Sequence, residues 1–210
     1  MRELPETDEE WDAAYGAGLT AAAGWHFTDL ASAHRASDYL AGGVAGTGER
    51  ACVDLGSGAG KFVLAAAARH PACIWRGVEA RPELVAEAEA WRARYGVPNA
   101  RFEAGDLLEV DFADYAGAYL FNPFGELLDA RPDLGGGLRA RGREGFRAGV
   151  GALRQNLSRA PEGFRLVTYY CEEGQVPEGY VRVWAEEKLV GWRRVPRSAD
   201  RGTLTPHAPK

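Results

Sequence analysis

The stretch Asp54-Leu55-Gly56-Ser57-Gly58-Ala59-Gly60 sets three glycines two residues apart, directly after an apolar run. Glycine takes positive φ readily and lets a ligand approach the backbone without meeting a Cβ, so the pattern offers a cradle for a nucleotide-like ligand. Two nucleotide loops are close in pattern and fail in spacing. A GxxxxGK[ST] loop would hold a nucleoside triphosphate, and Gly60-Lys61 supplies its GK pair. Leu55 stands where its first glycine belongs, and Phe62 where its hydroxyl belongs. A dinucleotide loop, GxGxxG, begun at Gly56 needs a third glycine at 61, where the chain has Lys61.

An acidic residue followed by GxGxG resembles motif I of the class I, Rossmann-like S-adenosylmethionine-dependent methyltransferases. Every position of that motif is filled here by Asp54, Gly56, Gly58 and Gly60, with Ser57 inside the loop. The resemblance implies S-adenosyl-L-methionine as cofactor and gives expected roles to residues further along. Glu79 falls at the end of the next expected strand, 19 residues past Gly60. A carboxylate there can accept hydrogen bonds from both ribose hydroxyls, as in dinucleotide folds. Asp106 follows the third expected strand within Gly105-Asp106-Leu107, where family members accept the adenine amino group and where Leu107 would carry a backbone donor to the ring. Each residue alone has an ordinary explanation, a surface Glu or a turn-forming Asp. Their joint placement at the carboxyl ends of successive strands, where open α/β sheets bind ligands, points to one site.

The fourth expected strand runs into Asn122-Pro123-Phe124. This resembles the [DNS]PP[YFW] box of amino-group methyltransferases, without its second proline. The resemblance implies that Asn122, Pro123 and Phe124 form the acceptor site, the Asn122 side-chain oxygen and a main-chain carbonyl holding the N–H groups of an acceptor amine and the Phe124 ring packing against it. Residues 50–126 also partly resemble the lysine methyltransferases outside the SET class, whose histone-binding elements are not recognisable here. The expected reaction is transfer of methyl to an amine nitrogen of a protein lysine or a small molecule. An oxygen or carbon acceptor, or a non-catalytic binding module, are the alternatives. Tyr15, Trp25-His26 and Tyr169-Tyr170 are further candidates around the cofactor and acceptor, each equally explained by packing. Arg139, Arg141, Arg143 and Arg147 could clamp an anion, or simply solvate a loop.

The elements that must position these residues alternate in β and α pattern from about residue 50, the signature of a parallel sheet. Strands are expected at Ala51–Leu55, Cys73–Glu79, Ala100–Glu103, Ala116–Phe121 and Phe164–Cys171, and an antiparallel pair at Tyr180–Trp184 and Leu189–Val195. Helices are expected from Gly60 to His70, from Pro82 to Tyr95, and over 145–158. In the second of these, Leu84, Ala88, Trp91 and Tyr95 share one face. The expected fold is a doubly wound, mainly parallel seven-stranded α/β sheet closed by an antiparallel hairpin. Residues 1–48 are expected to form a helical lid or cap, residues 49–197 the Rossmann-like domain, and 198–210 a flexible tail.

The chain has 210 residues, 46% of them hydrophobic and 10% aromatic, enough for one full-sized core. Its net charge of -5 provides no global attraction to nucleic acid or to an anionic membrane, so an RNA partner is not expected. The longest apolar run, Phe62–Ala68, has seven residues, far short of the roughly 18 a membrane span needs. Cys52, Cys73 and Cys171 lie in apolar stretches without metal-ligand spacing, which suits free thiols of a cytoplasmic protein and no bound metal. Oligomeric state is not legible.

Overall fold

The computed structural model describes residues 3–15, 19, 27–44, 51–128 and 142–196. Among them lie helices α1 (Asp8–Ala14), α2 (Leu30–Val44), α3 (Lys61–Arg69), α4 (Pro82–Tyr95) and α5 (Gly142–Leu157). The strands are β1 (Ala51–Leu55), β2 (Trp75–Glu79), β3 (Ala100–Ala104), β4 (Tyr115–Phe121), β5 (Arg165–Tyr169), β6 (Tyr180–Glu186) and β7 (Leu189–Arg194). They form one seven-stranded sheet in the order β3-β2-β1-β4-β5-β7-β6. β1 to β5 run parallel, and β7 inserts antiparallel between β5 and β6.

The central strands β1 and β4 are mostly apolar because both faces are covered, with Asp54 the charged exception. Along β1, Cys52 points into one core while Ala51, Val53 and Leu55 point into the other. Along β4, Tyr119 joins the first and Ala118 and Leu120 the second. The first core holds residues of α1, α2, α3 and α4, the second those of α5. β1 and β4 therefore lie at the centre, and their carboxyl ends open where the connections diverge to opposite sides of β1, the place where such sheets bind ligands.

Several expected boundaries move for local reasons. The second strand begins at Trp75, because the Cys73 N–H turns back to the His70 carbonyl at 3.0 Å. The fifth ends at Tyr169, because Tyr170 takes φ 52 and leaves the extended conformation. Tyr95 is only partly buried, whereas Leu84, Ala88 and Trp91 are buried as the periodicity implies. Cys73 and Cys171 are likewise partly exposed, and Cys52 alone of the three is buried.

The boundary expected near residue 48 falls inside one packed unit. Ala33, Ala36 and Leu40 of α2 are fully buried in the first core, so this helix is a member of the layer rather than a cap upon it. α1 is joined to the same side: the Trp11 and Trp91 rings stack at 5.0 Å and 11°. Residues 129–141 and 197–210 lie outside the described residues, and with them Arg139, Arg141 and the tail.

Candidate functional site

β1 ends at Leu55, and the chain turns through Gly56, Gly58 and Gly60, all at positive φ (90, 53 and 87°), before α3 begins. The turn is held by main-chain bonds: Gly56 and Ser57 both donate to the Val78 carbonyl, and Gly60 to that of Ser57. The three glycines do different work. A Cβ on Gly58 would meet nothing within 4 Å, and one on Gly56 would meet only Leu107, at 4.0 Å. One on Gly60 would strike the Phe102 ring at 2.7 Å and Ala88 at 2.9 Å. Gly56 and Gly58 thus leave the cradle open, whereas Gly60 allows α4 and β3 to pack closely. Ser57 lays its hydroxyl against Gly77 of β2, which makes it a residue that folds the loop.

Two carboxylates are buried beside this turn, Asp54 at 4% exposure and Glu79 at 3%. Glu79 accepts the Gly58 N–H at 2.9 Å and is bridged by Arg81, whose Nε reaches it at 2.7 Å. Among the described residues no donor reaches the Asp54 carboxyl. Burial pushes its pKa well above the usual carboxylate range, and the charge of Glu79 adds to the rise. A cationic ligand group would relieve both effects. α3 opens on the same cradle with Gly60 as an N-cap that has no side chain to offer, so its first-turn N–H groups are free of side-chain capping and favour an anionic group.

Across the cradle, Gly105 donates to the Glu79 carbonyl at 2.9 Å, which brings the following turn alongside. Asp106 caps that turn, accepting the Leu108 N–H at 2.9 Å. The structure therefore gathers Asp54, Gly56, Gly58, Glu79, Asp106 and Leu107 at the carboxyl ends of β1, β2 and β3. The buried carboxyl without a donor and the open Cβ directions at Gly56 and Gly58 suit a ligand that is cationic at one end and carries hydroxyls at the other. That is the chemistry of S-adenosylmethionine.

α1 closes the side of this loop. The Tyr15 hydroxyl donates to the Ala59 carbonyl at 3.3 Å, and the buried Lys61 ammonium reaches Asp8 at 2.6 Å. Lys61, which in sequence only excluded other loops, is thus an anchor between α1 and α3. Trp25 and His26 lie outside the described residues.

The strand-four turn splits the expected acceptor box. Asn122, at φ 37, is exposed, and its carboxamide occupies the space that a Cβ on Gly125 would take. Pro123 is buried. Phe124, expected against an acceptor, is turned into the second core, where its ring lies 3.0 Å from the Cβ position of Gly149 on α5. An apolar ring gains more from burial against that helix than from a wet strand end.

The aromatic surface at these strand ends comes instead from Phe121, Tyr169 and Tyr170, with ring centroids 4.7 to 6.0 Å apart. The Tyr169 hydroxyl donates to Asp29 at 2.8 Å. Burial would raise the Asp29 carboxyl, but hydrogen bonds from Ser32 and Tyr169 outweigh it and hold the group below its usual range. Tyr169 itself is pushed up to about 12, chiefly by burial. Asp29 carried a legible signal only as the N-cap of α2. Its partner lies 140 residues away in sequence. Arg81 was missed too, although two residues past Glu79 on an extended chain it shares that residue's face.

Among the described residues no group of three or more His, Cys, Asp or Glu is placed to hold a metal ion, and no helix is long and apolar enough to cross a membrane. Residues 52–132 match the family model of a methyltransferase domain. Over 50 residues the chain is 44% identical to a tRNA (guanine-N(7)-)-methyltransferase of Synechococcus sp. (strain JA-3-3Ab), a stretch covering 24% of this chain and 21% of that relative. The likeness thus spans about a fifth of the curated relative's length. Among solved structures the chain is similar to an RNA methyltransferase from Salinibacter ruber in complex with S-adenosyl-L-homocysteine. That match has TM-score 0.55 and 21% identity, over 81% of this chain and 94% of the other. TrmN from Thermus thermophilus matches at TM-score 0.59 and 15% identity, over 93% and 55% respectively. At these identities the structural likeness shows a shared fold.

Proposed function

We propose that this chain, which carries a class I, Rossmann-like S-adenosylmethionine-dependent methyltransferase domain, transfers the methyl group to an amine nitrogen of a small molecule or a protein lysine. When bound, the cofactor supplies a methyl group on a positively charged sulfur that is already activated for transfer. The protein's part is to bind, orient and exclude. Gly56 and Gly58 leave room for the cofactor backbone. Asp54 offers negative charge to its cationic end, and the first turn of α3 offers N–H groups to its carboxylate. Glu79 accepts from the ribose hydroxyls once Arg81 yields part of its hold, and Asp106 with Leu107 meets the adenine. Ser57 and Gly60 shape the loop.

The observation that carries the acceptor assignment is the exposed carboxamide of Asn122, fixed at the end of β4 beside β1 by a left-handed backbone. Its oxygen can accept an N–H of the acceptor and so direct the nitrogen lone pair, which is most of what such a transfer asks of an enzyme. Asp29 and Tyr169 are both poor bases near neutrality, one held low and the other at about 12, so an acceptor that arrives as an ammonium gives a proton to solvent before transfer, which frees the lone pair that takes the methyl group.

Asn122→Ala is expected to lower kcat/KM with primary amines and lysine peptides by about 100-fold, the cost of losing orientation at the reacting centre. The affinity for S-adenosylhomocysteine, measured by titration calorimetry, is expected to stay unchanged. Near wild-type transfer would remove Asn122 from the acceptor site. The sequence likeness to a tRNA methyltransferase favours a second reading, a ring nitrogen of an RNA base. The net charge of -5 opposes it. Labelled methyl entering bulk tRNA rather than amines would decide for RNA.

A further inference from the structure

Resting on the cofactor reading above, we infer that Asp29, Tyr169 and Tyr170 form a cation-recognising acceptor subsite, so that the acceptor is an amine that is positively charged at neutral pH.

Three observations meet at the carboxyl ends of β4 and β5. First, among the described residues four that are not glycine have positive φ, and three of them, Asn122, Phe124 and Tyr170, lie at these two strand ends. A residue with a side chain is strained in the left-handed region and persists there only where its surroundings impose it. Here the Tyr170 N–H is tied to the Lys188 carbonyl at 3.1 Å, and the Asn122 N–H to that of Tyr169 at 2.9 Å. The strain turns two side chains outward that an extended strand would not present.

Second, Tyr170 is 54% exposed although large and aromatic, and its ring meets Tyr169 edge-on at 4.7 Å. An exposed aromatic packed against other rings presents a negative π face to solvent, which attracts a cation. Third, the neighbouring Tyr169 hydroxyl donates to an Asp29 carboxylate that stays ionised. Charge and ring face therefore act together, and Tyr170 takes the place at the acceptor that the buried Phe124 has left. A neutral acceptor would gain from neither.

Choline and its uncharged isostere 3,3-dimethylbutan-1-ol test this, titrated into the full chain with and without S-adenosylhomocysteine. Choline is expected to bind about tenfold tighter than the alcohol. Tyr170→Ala and Asp29→Asn should each abolish that preference, and Tyr170→Phe should keep it. Asparagine is as good an N-cap as aspartate, so α2 and the fold survive the second change. Equal binding of the two probes, or a preference that outlasts Tyr170→Ala, would overturn the subsite. Failure to bind S-adenosylhomocysteine while the choline preference persists would instead sink the cofactor reading and leave the cation site standing.

Discussion

Gly58→Val is expected to give a folded chain that has lost at least 100-fold of its affinity for S-adenosylmethionine, whereas the smaller change Gly60→Ala is expected to give a chain that barely folds. At both positions an L side chain must adopt positive φ, at a cost of about 1–3 kcal/mol. At position 58 that is the whole cost to the fold, because the added Cβ meets nothing within 4 Å. Its branches fill the cradle instead. At position 60 the methyl would lie 2.7 Å from the Phe102 ring and 2.9 Å from Ala88, so overpacking adds about 1–3 kcal/mol more. A total of roughly 2–6 kcal/mol is a large share of the 5–15 kcal/mol that holds a typical domain. Urea denaturation and calorimetric titration of both variants separate the effects. A folded Gly58→Val chain with unchanged affinity would refute the placement of the cofactor, and a Gly60→Ala chain of normal stability would refute the packing argument.

The second large effect runs in opposite directions for stability and binding. Burial, and then the charge of Glu79, raise the Asp54 carboxyl well above its usual range. The folded chain then holds that proton more tightly than the unfolded one. Stability owed to Asp54 is greatest below the ordinary carboxylate pKa of about 3.9, and it falls as pH rises from there through the raised value. Asp54→Asn removes the penalty while keeping the shape. Without cofactor, the variant should melt higher than the parent at neutral pH, and the difference should shrink as the buffer is taken down towards pH 4. Its affinity for S-adenosylmethionine should fall by roughly 30-fold or more, because truncating one partner of a buried charge pair costs about 2 kcal/mol or more. A variant that binds normally would show that Asp54 does not face the cationic end. One that melts lower at every pH would show that the carboxylate is needed by the fold. A site that destabilises its own empty form is a familiar trade of stability for activity.

The elements were legible because a strand covered on both faces is predominantly apolar, and because Pro82 and Gly96 mark the start and stop of α4 as proline and glycine do anywhere. The glycine spacing excluded two nucleotide loops and selected a third, and Glu79 and Asp106 could be aligned with it because each ends or follows its own strand. These are local constraints, readable from composition and distance along the chain.

What the sequence could not separate was residues of one type doing different work. Gly58 and Gly60 look equivalent in a motif, and only the approach of Phe102 and Ala88 shows that one opens a cradle while the other closes a core. Asn122 and Phe124 look like one acceptor box, and only the position of α5 sends Phe124 inward while Asn122 stays in solvent. The aromatic group that remains at the strand ends joins Phe121 to Tyr169 and Tyr170, and its carboxylate comes from Asp29 at the start of α2. The chain itself determined the sheet, the loop and the carboxylates at its rim, because those follow from backbone freedom and burial along each element. The aromatic group at the strand ends, and the carboxylate beside it, were decided only by tertiary structure, because each depends on which distant surface competes for the same side chain.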